Sequence, residues 1–95
     1  MTNNTESREN TVLIGKKPNM AYVMAVVTQF GAGQNEIHIK ARGRAISKCV
    51  DVAEIVKNKF FKDAKVKSIT IATEQVETEK GEKFGVSTMN ITLTK

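Results

Sequence analysis

The pattern of apolar and polar residues in the first half of the chain predicts two β-strands. Residues 11–14 (TVLI) form a short, apolar and β-branched run, which favours a strand. Residues 36–41 (EIHIKA) alternate, so that Ile37 and Ile39 point toward a core while the residues between them point outward. This alternation predicts a strand with one buried face and one face in water.

A long β-hairpin is predicted further along the sequence. Residues 66–76 alternate, with Ile69 and Ile71 on one face, and residues 84–93 alternate again. The polar stretch 77–83 between them is centred on a glycine and predicts the turn. Eleven residues at about 3.3 Å each make an arm of about 36 Å, roughly twice a typical strand. We therefore expect the tip of the hairpin to project beyond the body of the domain.

Two stretches have the spacing of α-helices. Residues 20–30 are apolar on most sides and contain Ala and Met, which favours a largely buried helix with Gly31 as its C-cap. Residues 44–61 predict a second, amphipathic helix. Its apolar residues recur every three or four positions and define the predicted core face: Ile46, Val50, Ala53, Val56 and Phe60.

The order of these elements predicts the fold class. It is strand, helix, strand, helix, strand, strand, and both helices must cover one face of a mixed sheet. We therefore expect an α+β domain: a two-layer βαβαββ sandwich with a four-stranded sheet and a protruding C-terminal hairpin. The domain is expected to span residues 11–95, after a flexible, polar tail over residues 1–10.

Size and charge narrow the classes of partner. A chain of 95 residues, 40% of them hydrophobic, suits one small domain, and chains of this length often gain stability as homo-oligomers. The formal net charge of +5 makes polyanions the first partners to consider, with nucleic acid ahead of a membrane surface.

The single cysteine, Cys49, is interpreted as a small buried hydrophobic residue in a reducing, cytoplasmic compartment. No apolar run approaches the roughly 18 residues that span a bilayer.

Most of the surplus positive charge lies in two clusters at strand-to-helix junctions. These candidate nucleic-acid contacts are Lys16, Lys17, Lys40, Arg42, Arg44 and Lys48. Because both crossovers lie on one face of the sheet, the two junctions are expected at the same edge, where the clusters can merge. A phosphate at the second junction would meet free helix N–H groups, the helix dipole and arginine side chains together. The alternative is a pair of solvated basic turns that only keep the protein soluble.

Catalytic and metal chemistry find little support in the sequence. His38 is the only histidine, no acidic partner is nominated for it, and no metal-ligand spacing occurs. We therefore expect no enzyme activity, cofactor, metal or small-molecule substrate.

The phenylalanines have different expected roles. Phe30 and Phe84 are interpreted as core residues. Of the adjacent Phe60 and Phe61, one is expected to mark a protein–protein contact.

These residues together resemble the Alba family, the small basic chromatin and RNA-binding proteins of archaea. The matching stretches are residues 12–18 (VLIGKKP), 36–51 (EIHIKARGRAISKCVD), 54–61 (EIVKNKFF) and 86–93 (VSTMNITL). The resemblance covers about residues 11–94 and is far more specific than either basic cluster alone.

The resemblance implies a fold similar to the C-terminal domain of a bacterial translation initiation factor, and a two-fold homodimer. It implies that Lys16 and Lys17 contact nucleic acid, that Arg42 and Arg44 lie beside them, and that the hairpins reach along the grooves of a duplex. It also implies that Lys16 is an acetylation target whose modification weakens DNA binding. Finally, it implies that Phe60 lets dimers associate side by side along DNA.

The hairpin tip departs from this pattern, because its three glutamates outnumber its two lysines, Lys80 and Lys83. Those two lysines are kept as candidate contacts.

The expected function is non-enzymatic, largely sequence-independent binding of double-stranded DNA and RNA, with chromatin compaction, a chromosomal location in the cytoplasm and affinity tuned by acetylation. An RNA chaperone or a subunit of an RNA-processing particle is the alternative. A nuclease and a purely structural assembly protein are the competing classes.

Overall fold

The computed structural model describes residues 10–95. Its elements in chain order are β1 (Thr11–Leu13), α1 (Asn19–Gly31), β2 (Glu36–Arg42), α2 (Ile46–Ile55), β3 (Lys65–Glu77) and β4 (Lys83–Thr94). A 3₁₀ turn, Gly43–Ala45, precedes α2, and a π turn, Val56–Phe60, extends it. The predicted element order is confirmed. The predicted tail lies outside the described residues except for Asn10, whose carbonyl oxygen accepts a hydrogen bond from the His38 N–H at 2.7 Å.

The four strands form one mixed sheet in the order β1–β2–β4–β3. β1 runs parallel to β2, whereas the β2–β4 and β4–β3 pairs are antiparallel. Because parallel neighbours need a crossover connection, α1 links β1 to β2, and α2 then leads from β2 to the hairpin. This arrangement confirms the predicted α+β sandwich. The face of the sheet that carries no helix is called the open face below.

The core lies between the sheet and the two helices. Ile37 and Ile39 are fully buried on β2, as predicted, opposite Leu93 and Ile91 of β4. α1 contributes four buried side chains: Tyr22, Val23, Val26 and Phe30.

The end of α1 differs slightly from the prediction. The helix includes Gly31, and the glycine with a left-handed φ, 107°, is Gly33. The C-cap is therefore Ala32, one residue later than predicted, and Gly33 takes the left-handed conformation that a side chain disfavours.

The second helix turns a different face to the core from the one predicted. Ala53 and Val56 are buried, but Val50 and Phe60 are each 41% exposed. The observed core face consists of Cys49, Val52, Ala53 and Val56. This stripe has helical spacing too, but it is offset from the predicted one, and adjacent positions on a helix point about 100° apart.

The predicted apolar face of β3 exists, but it is not buried. Ile69 and Ile71 pair with Ile91 and Met89, so they face the helix side of the sheet. However, β3 is an edge strand, and the helices pack on the other strands, so Ile69 is 55% exposed and Ile71 is 76% exposed. We call these two residues the apolar edge.

The hairpin extends beyond the rest of the sheet, as predicted. β2 pairs with β4 only as far as Arg42 opposite Thr88, so residues 73–77 and 83–87 pair only with each other. We call this two-stranded part the arm. The interpretation of Phe84 as a core residue is wrong: it is 47% exposed, because neither a third strand nor a helix of the described chain lies beside the arm.

Candidate nucleic-acid interface

The first basic cluster lies in the loop between β1 and α1, and a buried tyrosine holds that loop in place. Tyr22, in the first turns of α1, is 8% exposed. Its hydroxyl oxygen accepts hydrogen bonds from the backbone N–H of Gly15 at 2.9 Å and of Lys17 at 3.0 Å. These bonds fix the backbone on both sides of Lys16, and both lysines remain exposed. A Cβ at position 15 would lie only 3.2 Å from the hydroxyl, which explains the glycine there.

The second cluster surrounds the turn between β2 and α2. Gly43 has a φ of 58°, a left-handed conformation that suits glycine, and the exposed Arg42 and Arg44 flank it. The 3₁₀ turn and α2 start here without a side-chain cap and without an acidic residue in the first turn. The N–H groups at the start of α2 therefore have no side-chain acceptor within residues 10–95.

The two clusters lie side by side, as the order of the elements predicts. Lys48, in the first turn of α2, donates a hydrogen bond from its ammonium group to the carbonyl oxygen of Lys17 at 2.5 Å. The same ammonium group lies 5.8 Å from the centre of the Tyr22 ring, within the range of a cation–π contact. Lys48 is therefore half-buried and bound to the protein, whereas Lys16 and Lys17 are open to a ligand. We call the six cations between residues 16 and 48 the basic patch.

Lys40 and Arg42 of the basic patch project from the open face of the sheet, alternating with buried residues of β2. A groove of about 730 Å³ crosses this face, and Leu13, Lys40, Arg42 and Glu74 contribute to its lining. The basic patch thus continues from the sheet edge onto the open face.

Arg42 already has an acidic partner in the absence of a ligand. Its Nη1 donates a hydrogen bond to Oε1 of Glu74 on β3 at 2.7 Å, across the intervening strand β4. The Arg42 side chain is 64% exposed and that of Glu74 is 51% exposed. The sequence gives no sign of this pair, because its members lie 32 positions apart.

The two candidate lysines of the hairpin lie at its tip, away from the basic patch. The tip turn is organised by Thr78, whose hydroxyl oxygen accepts hydrogen bonds from the backbone N–H of Lys80 and of Glu82. Gly81 allows the turn with a φ of 86°. Lys80 and Lys83 are both exposed, but the structure does not bring them to the other candidate contacts.

His38 lies on the open face and has partners that the sequence did not nominate. Its Nδ1 lies 2.9 Å from the Thr92 hydroxyl, and its Nε2 lies 3.4 Å from the Glu36 carboxylate. Lys67 donates a hydrogen bond to Glu36 at 3.0 Å, and this bond lowers the pKa of that carboxyl group. No acidic partner for His38 was nominated from the sequence, but Glu36 is one, because alternate residues of a strand share a face. No group of His, Cys, Asp and Glu within residues 10–95 could hold a metal ion.

Cys49 is buried, as predicted, and its thiol is expected to be unreactive. The Sγ atom donates a hydrogen bond to the carbonyl oxygen of Ile39 at 3.3 Å. Burial raises the pKa of the thiol to about 11. The thiol therefore stays protonated at neutral pH and is not a nucleophile in the folded protein.

Comparison with known proteins identifies the family. A family model for Alba matches residues 10–73, which is more than half of the chain. This protein belongs to the Alba family. It is 55% identical over 87 residues to "DNA/RNA-binding protein Alba 1" of Archaeoglobus fulgidus, covering 92% of this chain and 97% of that protein. It is 51% identical over 85 residues to "DNA/RNA-binding protein Alba" of Methanocella arvoryzae, covering 90% and 88%.

Solved structures of Alba proteins share the fold. Alba from Thermoplasma volcanium matches with a TM-score of 0.86 at 52% identity, covering 90% of this chain and all of that one. Alba1 from Trypanosoma brucei matches with a TM-score of 0.72 at 25% identity, covering 93% of this chain and 70% of that one. Within the described part of this Alba-family chain, no helix is long and apolar enough to cross a membrane.

Phe60, which the resemblance to Alba marks as a contact between dimers, lies exposed in the π turn after α2. The N–H of Phe61 bonds to the carbonyl oxygen of Val56 at 2.8 Å, the spacing of a π turn. Phe61 then packs edge-on against Phe30, with ring centres 5.2 Å apart. Of the two adjacent phenylalanines, Phe60 is therefore the one available to a partner.

Proposed function

We propose that this Alba-family protein binds double-stranded DNA and RNA as a homodimer, largely independently of sequence. It is not an enzyme, since the family's members are named as DNA/RNA-binding proteins. The observation that carries the proposal is the meeting of the two basic clusters, where Lys48 contacts the loop that carries Lys16 and Lys17. Duplex DNA carries one negative charge per about 1.7 Å of its axis, so clustered cations gain affinity without reading bases.

The local geometry gives the cations different roles. Arg44 lies beside the uncapped start of α2, so a phosphate there would meet a guanidinium group, free N–H groups and the positive end of the helix dipole. Lys16 and Lys17 add two charges from the neighbouring loop. Tyr22 holds that loop in one conformation before the ligand arrives, which lowers the entropic cost of binding.

The apolar edge supports the homodimer. Ile69 and Ile71 are large apolar residues exposed on an edge strand, and Val50 of α2 is also 41% exposed. Such surface favours association, and a small domain gains stability by burying it. We propose a second copy of the chain as the partner, which would also present a second basic patch to the duplex. Ile71→Glu is expected to yield monomers in sedimentation velocity, and a persistent dimer would contradict this interface.

Chromatin compaction, a chromosomal location in the cytoplasm and regulation by acetylation belong to the same proposal. Lys16 is exposed and takes part in none of the ion pairs found in residues 10–95, so its charge is available to a phosphate. Acetylation would remove that charge and weaken binding. Phe60 would contribute to the association of neighbouring dimers. Phe60→Ala is therefore expected to reduce the cooperativity of binding to long DNA, with little change in affinity for a short duplex.

A salt titration tests the proposal. Wild-type protein and Lys17→Ala are bound to a duplex DNA and a duplex RNA of equal length over about 50 to 300 mM salt. We expect log K to fall linearly with log salt, and the slope to decrease by about 0.9 for the lost contact on DNA of any sequence. Lys62→Ala, which removes an exposed cation outside the basic patch, is the matched control and should leave the slope nearly unchanged.

Two outcomes would contradict the proposal. One is equal binding by Lys17→Ala and the wild type at every salt concentration, and the other is a loss confined to one sequence. A preference for structured RNA that persists at high salt would favour the alternative role in RNA processing or as an RNA chaperone, because A-form RNA is recognised by shape and backbone contacts.

A further inference from the structure

We infer that Phe84 on the arm stacks on an unpaired base, which gives the protein a contact with single-stranded nucleic acid in addition to the basic patch. The inference rests on the proposed nucleic-acid binding and extends it to a different kind of interaction. Phosphate contacts weaken steeply as salt rises. Stacking of a base on an aromatic ring depends on the ring's face, is tolerant of sequence, and has no counterion to release.

The arm leaves the Phe84 ring uncovered. Phe84 is 47% exposed and pairs with Val76 at the end of the arm, beyond the last residue of β4 that pairs with β2. Single exposed apolar residues are common in proteins, so exposure alone would not define a contact. The position of this residue relative to the cations is the second observation.

Phe84 lies on the open face of the sheet, the face from which Arg42 of β2 also projects. Side chains alternate along β4, so Phe84, Val86 and Thr88 share one face, and Thr88 pairs with Arg42. The pairing of Val86 with Glu74, which bonds to Arg42, supports this assignment. The apolar edge faces the opposite side, so the proposed homodimer leaves this face of the arm open.

The spacing allows one strand to reach both groups. Phe84 lies four positions before Thr88, about 13 Å along the strand, or about four nucleotide steps at the duplex spacing of 3.4 Å. Of the two glutamates of the arm, Glu77 follows Val76 and therefore points to the other face. Glu74 lies on the same face as Phe84 and is paired with Arg42 in the free protein, so a strand that reaches both groups must compete with this ion pair.

A comparison of single-stranded and duplex probes tests the inference. The probes are a short single strand that contains the fluorescent base 2-aminopurine and a fully paired duplex of the same length. We expect wild-type protein to quench the fluorescence of the single strand, and Phe84→Ala to bind that strand at least about fivefold more weakly, the low end of the stacking range. Duplex affinity should change little. Phe84→Tyr should retain the quenching, and Phe84→Leu should lose it.

The control and the contrary outcomes are specific. Gln75→Ala, on the opposite face of the arm, should match the wild type with both probes. Equal quenching by wild type and Phe84→Ala would overturn the inference, as would wild-type quenching by Phe84→Leu. An equal loss on the duplex and the single strand would also overturn it, since that result indicates an altered arm rather than a stacked base. If wild-type protein shows no salt-dependent binding to either probe, the proposed function fails together with the inference.

Discussion

Replacement of Glu74 by glutamine is expected to strengthen the binding of nucleic acid. In the free protein, the Glu74 carboxylate accepts a hydrogen bond from the Arg42 guanidinium group at 2.7 Å. A phosphate that binds Arg42 must either displace this carboxylate from Nη1 or bind beside its negative charge, so the ion pair opposes the ligand. Glutamine keeps the size of the side chain and removes its charge, which releases Arg42 for a phosphate.

The solvent exposure of the Arg42–Glu74 ion pair determines how much its loss should change the affinity. Arg42 is 64% exposed and Glu74 is 51% exposed, so water and salt screen their attraction. Ion pairs of this kind contribute about 0.2–1 kcal/mol. Since about 1.4 kcal/mol corresponds to a tenfold change in affinity, release from the competition should lower Kd by about 1.4- to 5-fold.

A matched variant separates the pair from the overall charge. Glu77→Gln changes the net charge equally on the same hairpin, and Glu77 takes part in no ion pair within residues 10–95. In fluorescence anisotropy with a labelled duplex at about 0.1 M salt, Glu74→Gln should bind more tightly than Glu77→Gln by the factor above. The difference should vanish when each change is combined with Arg42→Ala, because the competing partner is then gone.

Weaker binding by Glu74→Gln would refute this reasoning. It would mean that the carboxylate positions Arg42 for the phosphate instead of competing with it. Equal binding by the two single variants would also refute it, since the pair would then make no difference in solution.

Residues that support the fold give further testable outcomes. Tyr22→Phe removes two hydrogen bonds to the loop that carries Lys17, so the free energy of unfolding should fall by about 1–2 kcal/mol in urea denaturation, with weaker duplex binding; unchanged stability would contradict this. Cys49, whose pKa is raised to about 11 by burial, should react with iodoacetamide only after unfolding, and rapid labelling of the folded protein would contradict that. The hydrogen bond from Lys67 lowers the pKa of Glu36, so its stabilisation is present above the ordinary value of 4.5 and is lost as the pH falls through the lowered value. In chemical denaturation, the difference in the free energy of unfolding between wild type and Lys67→Met should therefore become smaller in acid. A difference that stays constant with pH would exclude this linkage.

The parts of the fold that depend on periodicity could be predicted from the sequence. Alternation identified the buried face of β2, where Ile37 and Ile39 are fully buried. The meeting of the two basic clusters followed from the order of the elements, because the loops after two parallel neighbouring strands leave the same edge of a sheet. The pairing of His38 with Glu36 could also have been predicted, since residues two apart share a face of a strand.

Features that depend on packing between elements or on strand register could not be predicted from the sequence. Two apolar stripes overlap on α2, one through Val50 and one through Cys49 and Val52, and only packing against the sheet decides between them. Phe84 looked like a core residue because alternation shows that a strand has an apolar position but not whether another layer covers it. The Arg42–Glu74 pair requires the register of two strand pairings together, which no local pattern contains.

The start of α2 lacks the side-chain cap and the acidic residues that stabilise most helix N-termini, and an anionic ligand would take their place. A capping Ser, Thr, Asp or Asn contributes about 0.5–2 kcal/mol relative to alanine, and a cation near a helix N-terminus opposes the dipole by about 0.3–1 kcal/mol. Here the position before α2 is Ala45, no acidic residue occupies the first turn, and Arg44 and Lys48 lie nearby. The Lys48 ammonium group is directed to the Lys17 carbonyl oxygen, but the N–H groups of the helix and the charge of Arg44 have no such partner within residues 10–95. A bound phosphate would supply both the missing acceptor and the missing negative charge, so ligand binding and stabilisation of this turn should be coupled.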